Sequence, residues 1–315
     1  MVIINLYDFG GITMEEKNWL AGLLSDRSRT ISFIIICLGP IVLYYIIFLF
    51  YPLISALIWT FMDYNPIREE NPFIGVGNYK RIIADPLFRL TLLNTFRLLL
   101  YIVPAGVALS LIIALALNKM IDLFRTIFTT AYFMPVITSM VACAGIWRWL
   151  YHPGAGLVNF LLKTIGLSPQ KWLQNPELVL PAIAAMTIWK GMGFNAVIFL
   201  AALKGIPDTY YDAGKIDGAT GWKTFWYITF PLLGPSFLFV MIMSCIGVFQ
   251  IFTQIFVMTD GGPVHASRVL ALYIYERGIT YMEMGYASSM AYILFIIIMI
   301  FTLTQMKLLR TRWEY

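Results

Sequence analysis

Lys190 stands where a lysine is expensive. It falls midway along an apolar run over 178–203, roughly 18 Å from either end at helical rise. An ammonium at that depth costs about 2.5–3.5 kcal/mol on insertion scales, so it needs a partner group or a wet cavity. Two readings stay open: a carbonyl-capped or ion-paired lysine that holds helices together, or a pathway residue beside Trp189. A second polar set, Ser244, Gln250, Thr253 and Gln254, lies in the run over 232–258. On one continuous helix, positions 247, 250, 251 and 254 share a face, which would let Gln250 and Gln254 line one cavity. Amide hydrogen bonds together with aromatic stacking, here from Phe249 and Trp189, would let such a cavity hold a polar ligand. Buried amides also glue helices together, and spacing alone does not choose between the two roles.

Catalytic constellations are missing. His152 and His265 lie in separate loops with no carboxylate cluster beside them, which argues against a metal ligand or general base. Cys37, Cys143 and Cys245 sit inside apolar runs at spacings that suit neither a metal site nor a disulfide framework, and read as buried free thiols. A phosphate loop needs G-x-x-x-x-G-K-[ST]. Gly214–Lys215 is followed by Ile216, and Thr209 stands where the first glycine belongs. The chain carries no ATP site of its own and is not read as an enzyme.

The elements that position these residues follow from composition. The chain has 315 residues, mean hydropathy +0.77 and 12% charged residues, against roughly 25% in soluble domains. The net charge of +5 is dispersed, which suits juxtamembrane lysine and arginine better than a nucleic-acid surface. Six apolar runs, over 31–60, 94–118, 124–149, 178–203, 232–258 and 286–309, are long enough to span a bilayer. Pro40, Pro52, Pro104 and Pro135 fall inside them, a pattern that bundles tolerate when neighbours satisfy the freed carbonyls. The expectation is an all-α membrane protein: a segment over 1–30, one helical membrane domain over 31–309 and a tail over 310–315. Residues 1–30 show no cleaved signal, and either Met1 or Met14 serves as a start. An even number of spans puts both termini on one side. Eleven lysines and arginines flank the spans on that side and eight on the other, a weak lean towards cytoplasmic termini.

The stretch "YYDAGKIDGATGWKTFWYITFPLLGP" over 210–235 is too polar to cross and too ordered to be a linker. Asp208 after Pro207 suits the cap of a short helix that Gly218 ends in a left-handed turn. A second helix from Gly221 puts Trp222, Phe225, Trp226 and Thr229 on one face. Physics alone leaves two readings, an interfacial hairpin resting on lipid and a docking site for a soluble partner.

The stretch resembles the EAA loop of binding-protein-dependent (type I, MetI-like) ABC importer permeases: E-A-A, three residues, G, nine residues, I-x-L-P. Here the positions hold Asp212, Ala213, Gly214, Gly218, Ile228, Phe230 and Pro231, with Asp for Glu, Gly for the second Ala and Phe for Leu. "PFIGVGNY", "NTFRLLLYIVPAGVALSLIIALALN", "IWRWLYHPGAGLVN", "WKGMGFN" and "TDGGP" extend the likeness over most of the chain, towards the carbohydrate branch. The resemblance implies a six-helix permease that moves an oligosaccharide by alternating access. The 204–231 loop would be its coupling helix, and Asp212 and Asp217 would meet polar groups of an ATPase. It implies a second permease, two ATPase subunits carrying ATP and Mg, an extracytoplasmic binding protein, and a bacterial or archaeal plasma membrane with cytoplasmic termini. Two alternatives remain: a glycerol-3-phosphate or polyol-phosphate permease of the same family, and a self-sufficient secondary transporter, which would need paired intramembrane charges.

Overall fold

The computed structural model describes residues 27–308; most of the 1–30 segment and the 310–315 tail lie outside the described residues. Compactness divides the chain into two units, one ending at Ile58 and one beginning at Trp59. The first unit is the opening apolar run. Helix α1 (Arg27–Tyr45) passes into a π turn over Ile46–Phe50 and then into α2 (Tyr51–Trp59). The Tyr51 N–H reaches the Ile46 carbonyl. This widening sits just before Pro52, whose ring would clash with the carbonyl four residues back in a regular helix.

Among its described residues the regular elements of the second unit are all helices, apart from an isolated bridge between Met62 and Phe73. Its helices are α3 (Gly77–Ala84), α4 (Pro86–Asn118), α5 (Asp122–Ile137), α6 (Met140–Leu150), α7 (Leu157–Thr164), α8 (Val179–Lys204), α9 (Asp208–Ile216), α10 (Gly221–Thr224), α11 (Phe230–Leu232), α12 (Gly234–Phe249), α13 (Thr253–Met258), α14 (Leu270–Tyr275) and α15 (Met284–Leu308). Among the described residues four helices are long and apolar enough to cross a membrane singly, and two bent pairs bring the number to six. This is the expected six-helix permease bundle.

At its centre α4 and α8 run side by side in the same direction. Gly106 faces Ile188, and one turn on, the buried Ser110 hydroxyl donates to its own helix at the Gly106 carbonyl (2.7 Å) or across to Met192 (3.1 Å). Small residues let the two backbones approach, and the hydroxyl ties them. Leu98, Ile183, Met186 and Phe199 fill the core around this seam.

Three spans depart from the sequence expectation. The second begins at Pro86 rather than near 94. Asp85 caps it by accepting from the Leu87 N–H (2.8 Å) with Pro86 in the first turn, so two polar turns precede the apolar stretch. The third is not one helix: α5 and α6 meet at Thr138–Ser139 with a 98° bend. The fifth ends at Phe249 and resumes only at Thr253. Its α12 covers about 24 Å at helical rise, short of the ~30 Å core; the stretch that reaches spanning length joins Gly221–Leu232 to Gly234–Phe249 at a 68° bend.

The capping Asp85 is also the hub that fixes the start of the second span. Tyr273 and Tyr286 donate to its Oδ2 at 2.6 and 2.7 Å, and Arg81 and Arg277 both pair with Glu283. Burial pushes the Asp85 carboxyl up, but the two tyrosines and the Leu87 and Phe88 N–H groups outweigh it and hold the carboxyl below its ordinary value.

Candidate functional site: a surface hairpin and a cavity in the bundle

The hairpin over 208–231 forms as two arms that meet at Gly214 and at Tyr211, whose hydroxyl lies 3.4 Å from that of Thr229. Pro207 is extended and precedes α9, and Asp208 is the first helical residue. Asp208 therefore does not cap the helix, as the sequence suggested; its charge lies in the first turn, where the helix dipole favours it. Gly218 takes φ +73, and the Ala219 N–H closes back on the Gly214 carbonyl (2.8 Å). That left-handed ending needs glycine or asparagine. Gly214 is buried, and a Cβ there would lie 2.4 Å from Ile228 Cδ1. Its small size thus serves contact between the arms rather than the outer surface. Asp212, Ala213 and Ile216 of α9, and Asp217 just after its end, are exposed, with Ile216 87% exposed. Lys215 pairs with Asp212 at 2.9 Å, both in solvent, an interaction worth little to stability.

The return arm carries the aromatic residues, with a π turn over Phe225–Thr229 between α10 and α11. Trp226 packs at a tilt 5.2 Å from Phe230, which meets Phe237 at 5.4 Å, and Phe237 meets the fully buried Phe199 of α8 at 6.4 Å. A chain of packed rings therefore runs from the hairpin to the core helix, past Pro231 at the turn into the fifth span.

Inside the bundle lies a cavity of about 390 Å³, walled by α4, the α5–α6 break, α8, α12 and Gln254 of α13. Its polar groups are few. The Asn195 amide donates to Ser244 Oγ at 3.4 Å, and the Thr187 hydroxyl bonds its own helix at Ile183. Gln254 is only 6% exposed, and its amide has no hydrogen-bond partner among the described residues. That amide is not sealed in but opens on the cavity, where a ligand or water can bond it.

Lys190 lines the same cavity, and its ammonium donates to the carbonyls of Pro135 (2.9 Å), Val136 (3.3 Å) and Thr138 (2.7 Å). These oxygens stand at the broken end of α5, where a helix leaves its last carbonyls orphaned. Hydrogen bonds from a charged donor contribute about 1.5–3 kcal/mol each, enough together to offset the insertion cost of the lysine. Of the two readings open at the outset, the carbonyl-capped one describes its contacts.

Trp189, Phe249 and Gln250 fall outside the cavity lining. Trp189 leans on Trp147 at 5.5 Å, and Phe249 is sealed between Phe96 and Phe301 at 5.5 and 5.4 Å. Gln250 is exposed at the end of α12. The shared face of Gln250 and Gln254 does not exist, because the helix stops between them. Asn195, absent from the expected site, replaces them in the wall. It lies one turn after Gly191 and two after Thr187, a helical spacing the sequence displays.

Compared with known proteins, residues 106–315 match the family described as the binding-protein-dependent transport system inner membrane component. The chain belongs to that family. It is 33% identical over 272 residues to an arabinooligosaccharides transport system permease protein of Bacillus subtilis, covering 86% of each chain. A lactose transport system permease protein of Rhizobium radiobacter is 31% identical, with 84% of this chain and 90% of the relative covered. The fold is that of the bacterial alginate ABC transporter solved with a pentasaccharide-bound periplasmic protein: TM-score 0.77, 22% identity, covering 95% of this chain and 98% of that one. This permease is a multi-pass inner-membrane transport component.

Proposed function

We propose that this permease conducts a neutral oligosaccharide through the cavity between α4, α8 and α12. A homologous second permease closes the pathway, two ATPase subunits drive it, and an extracytoplasmic binding protein delivers the cargo. The observation that carries the reading is the unpartnered Gln254 amide, which opens on the cavity that Asn195 and Ser244 also line, in a largely apolar wall. Such a wall offers hydroxyl groups a few directed hydrogen bonds and lets them leave again, as a pathway requires. The sugar cargoes named for the relatives agree with this chemistry.

The hairpin is the drive shaft, with both termini and the 204–231 loop in the cytoplasm. Asp212, Ala213, Ile216 and Asp217 dock on an ATPase, and ATP and Mg remain on that partner. Movement of the hairpin reaches α8 through Trp226, Phe230, Phe237 and Phe199, opening the bundle alternately to each side. A phosphate cargo would want a free cation on the wall, whereas Lys190 commits its donors to carbonyls.

The test is uptake of labelled arabino-oligosaccharide by proteoliposomes that contain the four-subunit complex and the binding protein. Gln254→Leu keeps similar bulk and removes the amide. Uptake should fall at least tenfold with assembly and basal ATPase intact. Unaltered uptake would remove Gln254 from the pathway, and loss of assembly would make it interhelical glue.

A further inference from the structure

The break in the third span stands over the cavity, and both of its sides reach the wall: Val136 from the end of α5 and Met140 from the start of α6. Whatever fixes the break therefore fixes the width of the cavity. A broken helix in hydrocarbon has no water to satisfy its last carbonyls, so each needs a donor from the protein. The Thr138 hydroxyl supplies one by donating to Met134 (3.1 Å). Lys190 supplies those for Pro135, Val136 and Thr138, with its charge at the negative end of the α5 dipole.

The next residues of α8 register this contact against the rest of the bundle. At Gly193, one turn on, a Cβ would lie 2.0 Å from the Tyr132 carbonyl oxygen and 2.7 Å from its carbon, so only glycine lets α5 come this close. Between them, the Met192 carbonyl accepts from Ser110 of α4. Over residues 190–193, α8 thus grips the end of α5 on one side and the central helix on the other.

We propose that Lys190 is a positioning residue for transport: a latch that holds the third span bent over the cavity, with no contact to cargo. The role rests on the cavity being the conduction path, but the bend itself can be measured without cargo. Loss of the ammonium frees the three carbonyls, and α5 and α6 then regain helical bonding across Thr138–Ser139 or sample several angles. Either change moves Val136 relative to Met140.

The experiment places spin labels at Ile127→Cys on α5 and Ile146→Cys on α6, both more than half exposed, in a Cys37→Ser background. Interlabel distances are recorded by pulsed electron resonance on the assembled complex without sugar. A single narrow distribution should appear with Lys190, broaden or lengthen by several ångströms in Lys190→Met, and return in Lys190→Arg, which restores charge and donors. In parallel, the maximal uptake rate should fall at least tenfold in Lys190→Met while ATP hydrolysis continues, with Lys190→Arg recovering most of the rate. Should Lys190→Met not assemble, Lys190→Gln keeps N–H donors without the charge and should broaden the distribution less. An unchanged distribution in whichever variant assembles overturns the latch, whatever uptake does. A broadened distribution in a complex whose unmodified form imports no sugar would keep the latch and overturn the cargo reading.

Discussion

Gly218 lets the coupling hairpin be tested by backbone alone. A Cβ at this position would meet nothing within 4 Å, and φ is +73. Any effect of substitution must therefore come from the left-handed conformation rather than from a clash. For an L-residue other than glycine that conformation costs about 1–2 kcal/mol, less for asparagine, whose side chain bonds locally. β-Branched residues fare worst. One to two kcal/mol is a factor of about 5–30 in the population of the closed turn. The series Gly218→Asn, Gly218→Ala, Gly218→Val should therefore lose sugar-stimulated ATPase activity in that order. Asparagine should stay within about twofold of the parent, alanine should fall about fivefold, and valine further still. The assay is ATP hydrolysis by the reconstituted complex with and without loaded binding protein, beside limited proteolysis of the 204–231 loop. Basal hydrolysis, which needs no transmitted motion, should change less than the stimulated rate. Equal activity across the series would refute the reasoning. So would a ranking by side-chain volume that leaves alanine at the parental rate, since open space gives volume no purchase.

Two further outcomes follow from the packing. Asp85, held below its ordinary value of 3.8 by its hydrogen bonds, contributes stability that is fully present above that pH and lost as pH falls through the lower folded value. Asp85→Asn should lower the melting temperature of the complex at pH 7, by a loss of about 1–3 kcal/mol, and flatten the acid limb below pH 4. An unchanged acid limb would show that the hub does not couple to folding. Gly193→Ala must push α5 away from α8, because its Cβ would sit 2.0 Å from the Tyr132 oxygen. Such overpacking costs about 1–3 kcal/mol, and a melting curve indistinguishable from the parent's would contradict the close approach.

What could be read in advance was whatever a local window contains. The fourth span, expected over 178–203, is Val179–Lys204, and the sixth, expected from 286, starts at Met284, since length and hydropathy decide both. The left-handed Gly218 was legible too, because an ending glycine after a polar turn has one common conformation. The Gln250–Gln254 pair failed for the opposite reason. A face is shared only while the helix continues, and the four residues from Gln250 to Thr253 contain no proline or glycine to announce the stop.

The third span shows where local reading ends. Pro135 announces a weakened helix, yet the chain turns through 98° at Thr138–Ser139, three residues later. A proline alone gives a kink that neighbouring carbonyls can accommodate; a turn this sharp exposes a whole helix end. In a membrane that end is stable only if another segment brings donors to it. Here the donor arrives from 52 residues further along the chain, at Lys190, and the approach that delivers it depends on Gly193 having no side chain. Three features of the sequence, a proline in one run and a lysine and a glycine in another, are thus one structural device. The question posed by an expensive lysine and the question posed by a proline inside a span have a single answer, and it became visible only when the two runs were placed side by side.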